Sequence, residues 1–414
     1  MKATLKNDNF PRSTIGIHIG GSKSESNRML ILQAQFPNIL IKNLSESDDT
    51  VALQKGLKSI NGTVDIHHAG TAMRFLTAYF AVKDGVDVIL TGSQRMQERP
   101  IAILVDALRS LGADIEYLNK NGFPPLKIRG KNLRSNEVTL KANVSSQYIS
   151  ALMLVAPMFP KGLQISLEGK VTSIPYIKMT LSLLNTLKIM GDFNDNKINI
   201  SSAEKIDSKT FFVESDWSSA SYFYSLVALS NEVQNYEITL RSFSEESLQG
   251  DSALVEIYNK LGVHTIFKAA DNTITLSRRA TKLPEFLLLD LANTPDLAQT
   301  IAVTCFGLGV FCKLTGLHTL KIKETDRLLA LKNELEKLGA KIEVTSNSLT
   351  LEKSGQIKSG ILIETYQDHR MAMAFAPLAI KAKLTINNCE VVSKSYPNFW
   401  KDLQKTGIGL KFVN

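Results

Sequence analysis

Residues 323–344 read KETDRLLALKNELEKLGAKIEV, and they contain the structural unit that the rest of the chain repeats. Four leucines recur at helical spacing, which predicts a helix with one apolar face: Leu328, Leu331, Leu335 and Leu338. Gly339 follows them, and Gly is favoured just past a helix because it adopts positive φ at little steric cost. Residues 340–344 alternate between apolar and polar, as a half-buried strand does. The stretch therefore predicts a helix that ends at Gly and continues into a strand.

The same order of helix, Gly and strand is predicted at three other places. The helical patterns and the glycines that end them are residues 101–111 with Gly112, 177–190 with Gly191, and 252–261 with Gly262. The strand patterns that follow are residues 113–118, 193–200 and 263–267. The four glycines are roughly 70 to 80 residues apart, which is too long and too uneven for a solenoid of short repeats. We therefore predict domains built from a repeated α/β unit.

A second set of predicted helices is shorter, apolar and rich in small residues. Its members are residues 71–82, 146–156, 218–229, 297–307 and 371–380. A helix that is apolar on nearly all sides is usually buried. Each of these helices follows a polar or charged cluster, and a helix N-terminus favours negative charge because of its macrodipole. We therefore expect the binding residues at the N-terminal ends of buried helices.

The composition is that of a globular protein with sizeable cores. The chain has 414 residues, of which 44% are apolar and 21% are charged. This length suggests two or three domains. No apolar stretch reaches the roughly 20 residues that a membrane span needs, and residues 1–10 lack the apolar run of a secretory signal. These features favour a cytoplasmic protein.

Charge and cysteine content narrow the class of function. The net charge is +8, but Lys and Arg are scattered, which argues against a nucleic-acid-binding stripe and is compatible with a small anionic ligand. Cys305, Cys312 and Cys389 lie in apolar or strand-like segments, and no pair has metal-binding spacing. We interpret them as buried, reduced thiols, which suit a reducing compartment.

The first five residues of the opening stretch carry the strongest chemical signal. Lys323 and Arg327 are four residues apart, so we expect them on one face of the first helical turn. Two cations beside outward-pointing N–H groups form a candidate anion site. Glu324 lies next to them and is a candidate acid or base for work on that anion. The plainer alternative is a charged helix start with a solvated face.

Further clusters combine Gly, hydroxyl, amide and charged residues ahead of apolar helices or in loops. They are residues 20–28, 68–74, 95–100, 145–147, 173–176, 290–296, 368–370 and 394–397. The first of them lacks the spacing of a P-loop. His67 and His68 are adjacent and have no further ligand set, so we expect no metal site there. Taken singly, each cluster can also be a set of helix caps or solvated charges.

In this order, the clusters together resemble the 5-enolpyruvylshikimate-3-phosphate (EPSP) synthase family, the 3-phosphoshikimate 1-carboxyvinyltransferases. The matching segments are Ser22-Lys23-Ser24 with Asn27-Arg28, residues 69–74, Glu98-Arg99-Pro100, residues 145–147, Pro175-Tyr176, Pro295-Asp296, and residues 323–327, 368–374 and 394–397. They run from about residue 20 to about residue 400, so the resemblance covers nearly the whole chain.

The resemblance implies an α/β fold of two similar domains. Each is a threefold repeat of an α/β unit with buried helices and outer sheets, an inside-out α/β barrel. Residues 21–213 would form the domain on the shikimate-phosphate side. Residues 1–20 and 214–414 would form the second domain, which would carry the motifs at 323–327 and 368–370. The family's active site lies in the cleft between the domains, so we expect it there.

The resemblance also implies the reaction. Members join shikimate 3-phosphate to phosphoenolpyruvate and release phosphate, a step towards chorismate and the aromatic amino acids. Both substrates carry a phosphate and a carboxylate, which accounts for the many Lys and Arg residues in the motifs. We expect a monomer that needs no metal or organic cofactor and that binds glyphosate, the family's known competitor.

The family's binding residues correspond to two sets in this sequence. The shikimate 3-phosphate set would be Lys23, Ser24, Arg28, Ser145, Ser146, Gln147, Ser173, Tyr176, Asp296, Thr319 and Lys323. The phosphoenolpyruvate set would be Lys23, Gly70, Arg74, Arg99, Gln147, Arg327, Arg370 and Lys394.

The chemistry needs a group for each proton that moves. The 5-hydroxyl of shikimate 3-phosphate attacks C2 of phosphoenolpyruvate while C3 receives a proton, and the tetrahedral intermediate then loses phosphate and a methyl proton. Our hypothesis is that Glu324 serves C3 and Asp296 takes the hydroxyl proton. Lys23 or Lys394 would assist the departing phosphate. Cationic surroundings would keep both carboxylates ionised until they are needed.

Three positions depart from the family's pattern. His68 stands where Asn is usual, Phe75 where Pro is common, and Thr319 where Asn is common. We expect the first two to alter the phosphoenolpyruvate pocket and the affinity for glyphosate.

Three other functions are alternatives to this one. The sister enzyme that acts on UDP-N-acetylglucosamine usually has a Cys in the loop that corresponds to residues 95–100, and no Cys occurs there. A nucleic-acid-binding protein is suggested by the net charge alone. A relative that has lost catalysis is disfavoured because the acid/base and Arg residues are intact.

Overall fold

The chain divides into two compact units, each with its own hydrophobic core. The computed structural model describes residues 1–8, 14–141, 146–169, 171, 174–230, 236–279 and 281–413. The first unit, here called the continuous unit, is Gly21–Val213. The second, the discontinuous unit, joins Met1–Gly20 to Glu214–Asn414. The N-terminal 20 residues therefore belong with the C-terminal half of the chain.

Helices and strands alternate along both units. The α-helices of the described residues are α1 Lys23–Gln35, α2 Asp48–Gly56, α3 Gly70–Val82, α4 Gln94–Gln97, α5 Ala102–Ser110, α6 Ser146–Val155, α7 Ile174–Thr186, α8 Trp217–Leu229, α9 Leu254–Lys260, α10 Ala298–Leu308, α11 Arg327–Lys337, α12 His369–Phe375 and α13 Phe399–Lys405. The 3-10 helices are Ala156–Met158, Gly250–Ala253, Ala269–Asp271, Pro295–Leu297, His318–Ile322, Ala376–Ile380 and Cys389–Lys394. Across the described part of the chain, no helix combines the length and the apolar character that crossing a membrane requires.

The strands are short, with three to six residues each. They are β1 Lys2–Asn7, β2 Thr14–Ile17, β3 Ile39–Lys42, β4 Asn61–Asp65, β5 Asp87–Thr91, β6 Asp114–Tyr117, β7 Leu126–Arg129, β8 Glu137–Lys141, β9 Leu163–Glu168, β10 Gly191–Asn194, β11 Lys197–Ile200, β12 Lys209–Phe212, β13 Glu237–Arg241, β14 Val263–Lys268, β15 Thr273–Arg278, β16 Phe286–Asp290, β17 Phe311–Thr315, β18 Ile342–Val344, β19 Leu349–Leu351, β20 Ile361–Ile363, β21 Leu384–Asn387 and β22 Ile408–Val413.

One pairing pattern recurs in the sheets of both units. Five sheets of the described residues have four strands, in which one parallel pair is followed by two antiparallel pairs. Their orders are β4-β5-β7-β6 and β8-β9-β11-β10 in the continuous unit, and β2-β13-β15-β14, β16-β17-β19-β18 and β20-β21-β1-β22 in the discontinuous unit. A further sheet keeps only the parallel pair β3 and β12. The predicted repeat of an α/β unit is therefore confirmed.

The predicted buried helices are also confirmed. Every residue of α3 and of α12 is buried, and so is every residue of α8 except Ser218. Strands such as β8 and β11 alternate between exposed and buried residues, so one face of each sheet meets solvent. The fold is thus the expected α/β arrangement of two similar units, with helices inside and sheets outside.

Three of the four predicted helix ends are correct. Gly112, Gly262 and Gly339 follow α5, α9 and α11 with φ of 102°, 83° and 103°. The prediction at Gly191 is wrong, because α7 ends at Thr186 and Lys188 adopts the left-handed conformation instead, with φ of 62°. Gly191 itself begins β10. Lys188 therefore provides the left-handed residue after the helix, which we had expected Gly191 to provide.

The predicted single strand 193–200 is a hairpin. Asp195 and Asn196 have φ of 48° and 61°, and they form the turn between β10 and β11. Positive φ at both central residues is the geometry of the tight turn that joins antiparallel strands. Two further helix–Gly–strand units were not predicted: α10, Gly309 with φ of 67°, and β17; and α13, Gly407 with φ of 91°, and β22.

Candidate active site

In the discontinuous unit, carboxylates gather around the side chain of Arg327, which is only 2% exposed. Its Nη1 donates to Asp296 Oδ1 at 2.9 Å, its Nη2 to Glu324 Oε2 at 2.7 Å, and its Nε to Asp368 Oδ2 at 2.6 Å. Burial alone would lower the pKa of Arg327, but the three carboxylates raise it above its usual value. The guanidinium is therefore fully charged and holds three carboxylates that come from different segments.

Arg370 links this cluster to the start of α8. Its Nη2 donates to Asp296 Oδ2 at 2.9 Å and to Ser218 Oγ at 3.3 Å. Ser218 in turn donates its proton to Oδ2 of Asp251, in the 3-10 helix Gly250–Ala253. Arg370 thus lies between the carboxylate of Asp296 and a hydroxyl that is held by a second buried carboxylate. The sequence analysis identified neither Ser218 nor Asp251, and only the fold brings them to Arg370.

Asp296 is surrounded by positive charge. Lys323 Nζ lies 3.6 Å from its Oδ1, in addition to the contacts from Arg327 and Arg370. Burial alone would raise the pKa of Asp296, but Arg370, Lys323 and Arg327 lower it below its usual range. Asp296 raises the pKa of Lys323, yet burial and the charge of Arg327 outweigh it and leave that pKa below its usual value. Asp296 is therefore ionised at neutral pH.

The expected position of Lys323 within the first turn of a helix is wrong. Helix α11 begins at Arg327, and Lys323 has extended backbone angles of −83° and −150°. Asp326 caps the helix, because its Oδ1 accepts from the N–H groups of Leu328 and Leu329, both at 3.1 Å. Lys323 and Arg327 nevertheless converge, because both reach Asp296.

Lys394 and Thr319 lie on two other 3-10 helices of this unit. Lys394 Nζ donates to the backbone oxygen of Gln367 at 2.7 Å, one residue before Asp368. The Thr319 hydroxyl is buried and has no hydrogen-bond partner among the described residues. A buried hydroxyl in that state is suited to a polar ligand.

In the continuous unit, Arg28 is buried among neutral partners. Its Nε donates to Thr180 Oγ1, its Nη2 to Ser150 Oγ and its Nη1 to the Ser24 carbonyl, each at 2.8 Å. The rings of Phe75 and Tyr176 lie 5.6 Å and 5.7 Å from its guanidinium. Burial lowers the pKa of Arg28 to about 10, so the side chain stays charged at neutral pH. A buried cation whose partners are neutral favours binding of an anion.

The start of α1 places Lys23 and Ser24 ahead of Arg28. Ser22 caps this helix by accepting from the N–H of Glu25 at 3.4 Å. Both Lys23 and Ser24 are half-buried, so part of each side chain remains accessible. They are the first two residues of the helix, where orphan N–H groups and the macrodipole favour a negatively charged ligand.

Behind this start lies a carboxylate that the sequence analysis did not identify. Asp49 Oδ1 accepts from Asn27 Nδ2 at 3.2 Å and from the N–H of Ala72 at 3.3 Å. Thr50 donates to the amide oxygen of Asn27 at 2.8 Å. From sequence, Asp49 is simply an acidic residue in the first turn of α2. Its contacts tie α1, α2 and α3 together at their N-terminal ends.

A second pair of cations lies at the start of α3. Arg74, only 4% exposed, donates from Nη1 to the Gly70 carbonyl at 3.1 Å and from Nη2 to the Pro100 carbonyl at 3.3 Å. A Cβ at Gly70 would lie 2.7 Å from Arg99 Nη1, so glycine is what lets Arg99 approach the helix start. Burial first and the charge of Arg99 second lower the pKa of Arg74 to about 10. The Nε atoms of both arginines are buried, without a hydrogen-bond partner in the part of the chain described.

The neutral residues of the predicted sets surround these arginines. Ser146 begins α6 and is buried, and Gln147 Nε2 donates to Thr71 Oγ1 at 3.3 Å. Tyr176 faces Arg28 from α7. Ser145 and Ser173 lie outside the described residues. Gly70, Thr71 and Gln147 therefore connect the surroundings of Arg74 with the N-terminal end of α6.

The described residues offer no obvious metal site. No group of three or more His, Cys, Asp or Glu side chains among them is placed to hold a metal ion. His67 and His68 are exposed, and the three cysteines are free and buried. What the described sites offer is guanidinium, ammonium, hydroxyl, amide and carboxylate groups.

Comparisons with known proteins agree with a site made of these groups. Residues 60–403 match the family described as EPSP synthase (3-phosphoshikimate 1-carboxyvinyltransferase). A 3-phosphoshikimate 1-carboxyvinyltransferase of Bacteroides fragilis (strain YCH46) is 46% identical over 399 residues, which cover 95% of this chain and 96% of that protein. Another, from Sulfurovum sp. (strain NBC37-1), is 35% identical over 418 residues, covering 94% and 95%.

A solved structure extends the likeness to the fold. EPSP synthase from Acinetobacter baumannii matches over the full length of both chains with a TM-score of 0.77, at 19% sequence identity. The sequence relatives cover nearly the whole chain as well, and the family match reaches from within the continuous unit to α13. The chain therefore belongs to the EPSP synthase family.

Proposed function

We propose that this protein transfers the enolpyruvyl group of phosphoenolpyruvate to the 5-hydroxyl of shikimate 3-phosphate and releases phosphate. The observation that carries the proposal is membership of the EPSP synthase family, with 46% identity to a named 3-phosphoshikimate 1-carboxyvinyltransferase over 95% of the chain. The reaction passes through a tetrahedral intermediate, and it serves the synthesis of chorismate and the aromatic amino acids.

The charges of the described sites support two doubly acidic substrates. Each substrate has a phosphate and a carboxylate, and each of these groups needs cationic or N–H donors. Arg28 makes its hydrogen bonds to neutral oxygens, and Arg74 donates to two carbonyls and to Met96 Sδ. Arg99 lies beside Arg74 and adds a second positive charge. None of these three arginines forms an ion pair with another described residue, so each can receive an anionic group without first breaking such a pair.

We assign the binding residues in two sets. Shikimate 3-phosphate is bound by Lys23, Ser24, Arg28, Ser145, Ser146, Gln147, Ser173, Tyr176, Asp296, Thr319 and Lys323. Phosphoenolpyruvate is bound by Lys23, Gly70, Arg74, Arg99, Gln147, Arg327, Arg370 and Lys394.

Glu324 and Asp296 carry the proton transfers in this proposal. Both carboxylates are paired with Arg327. A phosphoenolpyruvate anion that shares Arg327 and Arg370 weakens these pairs. Glu324 can then carry the proton that goes to C3 and returns from the methyl group. Loss of cationic contacts would also raise the pKa of Asp296, which makes it a better base for the 5-hydroxyl. Lys23 or Lys394 stabilises the departing phosphate.

A phosphate-release assay tests the function directly. Phosphate should appear only when both shikimate 3-phosphate and phosphoenolpyruvate are present. Release with phosphoenolpyruvate alone at the same rate would indicate a phosphatase instead.

The role of Glu324 is tested by Glu324→Gln. The variant keeps the size and the hydrogen-bonding capacity of the side chain but cannot carry the proton, so we expect turnover to fall by roughly 10²- to 10⁴-fold. Binding of shikimate 3-phosphate, measured by calorimetry, should be preserved. Near-normal turnover would remove Glu324 from the role. Glu336→Gln, on an exposed part of α11, is the matched control.

We also propose that glyphosate competes with phosphoenolpyruvate and that its affinity differs from that of typical family members. Phe75 lies under the Arg28 guanidinium, and His68 is exposed near the start of α3. Inhibition curves of wild type, His68→Asn and Phe75→Pro test this, and superimposable curves would refute it. We propose a cytoplasmic monomer, which fits the three free, buried thiols. Cell fractionation and light scattering measure the two properties.

A further inference from the structure

Gln249, Gly250 and Asp251 form a short segment that is attached to the start of α8. Gln249 Oε1 accepts from the N–H of Trp217 at 3.1 Å, and its Nε2 donates to the Ser215 carbonyl at 2.8 Å. Asp251 follows on the 3-10 helix and is only 5% exposed. The backbone of this segment is therefore fixed relative to the first turn of α8, where Ser218 lies.

The hydrogen bond between Ser218 and Asp251 fixes the orientation of the serine hydroxyl. A serine has a single hydroxyl proton, and Ser218 donates it to Asp251 Oδ2. Only the lone pairs of Ser218 Oγ then face Arg370 Nη2, which donates to them at 3.3 Å. An ionised carboxylate accepts hydrogen bonds and cannot donate them, so it keeps Ser218 an acceptor towards Arg370.

We propose that Asp251 is a positioning residue for the reaction proposed above: through Ser218, it holds the Arg370 guanidinium in the orientation that receives the anionic groups of phosphoenolpyruvate. Asp251 does not contact the guanidinium itself by a hydrogen bond. The alternative is that Asp251 only supports the structure of α8. Against it, the Oδ1 atom of Asp251 is buried and has no hydrogen-bond partner among the described residues. A buried carboxylate with an unsatisfied oxygen destabilises a fold.

The charges around Asp251 make its control of the Arg370 orientation sensitive to pH. Asp216 at the cap of α8, Asp296 on the 3-10 helix Pro295–Leu297 and Arg370 on α12 all act on it. Burial, followed by the negative charge of Asp296, raises the pKa of Asp251 to about 7. A protonated Asp251 can donate to Ser218, which would then turn its own proton towards Arg370. The hold on Arg370 is therefore expected to weaken below about pH 7.

A double-mutant cycle tests the proposal in the full-length enzyme. Asp251→Ala and Ser218→Ala should each raise KM for phosphoenolpyruvate about tenfold or more, with kcat changed by less than about threefold. Because both residues act through one contact, KM of the double variant should not exceed KM of the more impaired single variant. Ser218→Thr retains the hydroxyl and should keep the wild-type KM. Ser225→Ala is the matched control, since that hydroxyl lies on the same helix and accepts from Thr304 at 2.7 Å.

The pH profile separates positioning from simple structural support. In the wild type, kcat/KM for phosphoenolpyruvate should rise with a midpoint near pH 7, and this step should be absent in Asp251→Asn. An unchanged KM in Asp251→Ala, additive effects in the cycle, or an identical pH profile in Asp251→Asn would each overturn the proposal.

A crystal structure of Asp251→Ala gives a result that is independent of turnover. If the wild type itself releases no phosphate, the proposed function has failed, and the position of Arg370 still decides the inference. Displacement of its guanidinium from Asp296 and Ser218 supports the positioning role. A guanidinium that stays in place contradicts it.

Discussion

Two kinds of buried arginine occur in this protein. Arg327 donates to three carboxylates, whereas Arg28 donates to two hydroxyls and a carbonyl. Removing a charge from a buried ion-pair network leaves its partners unpaired, which costs about 3–5 kcal/mol. Arg28 donates to no carboxylate among the described residues, although the charge of Glu25 acts on it, so removing its charge leaves no hydrogen-bonded carboxylate unpaired. At the residue scale, anion binding is therefore expected at a buried arginine such as Arg28, whose charge does not stabilise the folded protein.

We therefore expect Arg28→Met to leave the melting temperature of the ligand-free protein unchanged or to raise it. Ser150 and Thr180 keep a hydrogen bond to each other at 3.2 Å, and Thr180 keeps one to the Tyr176 carbonyl. The same variant should lose the thermal stabilisation that shikimate 3-phosphate gives the wild type. Thermal unfolding with and without this substrate measures both effects. Arg327→Met is the contrasting variant and should melt far below the wild type.

Asp251 gives a prediction for stability against pH. Its pKa of about 7 in the folded protein exceeds the ~3.9 of an unfolded Asp. Between these values the unfolded chain loses its proton first, so the free energy of unfolding falls as pH rises. Asp251→Asn removes this loss. The stability of the variant relative to wild type should therefore rise between about pH 4 and pH 7, by a few kcal/mol at most, and stay constant above pH 8.

Tryptophan fluorescence can measure this effect in one unit. The chain has two tryptophans, and Trp217 and Trp400 both belong to the discontinuous unit that contains Asp251. Urea unfolding followed by their emission therefore reports on that unit. A difference between wild type and Asp251→Asn that does not change from pH 4 to pH 9 would contradict the raised pKa.

Most elements could be predicted from the sequence, since a core helix such as α3 is apolar and a half-buried strand such as β8 alternates. The failures occur where non-glycine residues adopt positive φ. Lys188 ends α7 in the left-handed region, and lysine gives no signal for that conformation. Asp195 and Asn196 tolerate positive φ, but they interrupt the alternating pattern too briefly to divide the strand.

These helix ends lead to a prediction about stability at the scale of the element. Gly112 has φ of 102° and no atom within 4 Å of an added Cβ, so Gly112→Ala should cost about 1–2 kcal/mol through backbone strain alone. Gly16→Ala is the control, because its site in β2 is equally open and its φ is ordinary. Lys188→Gly relieves strain and should be neutral or slightly stabilising. Chemical denaturation of the three variants measures these differences.

The site was predictable only in part, because its contacts join elements that are distant in the sequence. Polar clusters at the starts of helices indicated where the charged groups would lie, and Lys323, Arg327 and Arg370 are such residues. The pairing of these charges depends on contacts between distant segments. Asp251 meets Ser218 across 33 positions of the chain, and Asp49 reaches α3 from α2. No local pattern around either aspartate indicates these contacts.

At the scale of the whole molecule, the two units differ in continuity. The continuous unit is one stretch of chain, whereas the discontinuous unit needs the N-terminal 20 residues. Strand β1 lies inside its sheet, with β21 on one side and β22 on the other, and β2 pairs with β13. The Gly20 carbonyl accepts from the N–H of Asp216 at 3.2 Å, so the two segments of this unit meet where the chain leaves it and returns.

This arrangement predicts which fragments fold. Residues 21–213 should fold alone, since their core and sheets are complete. Residues 214–414 should not, because loss of β1 separates β21 from β22 and leaves two open edges. Joining residues 1–20 to 214–414 through a short Gly-Ser linker should restore a cooperative unfolding transition, because Gly20 accepts a hydrogen bond from Asp216, two residues after the start of the second segment. Circular dichroism follows folding in all three fragments, and tryptophan emission follows it in the two that contain residues 214–414. Equal stability of 214–414 with and without residues 1–20 would show that β1 is dispensable, against the expectation from its central position.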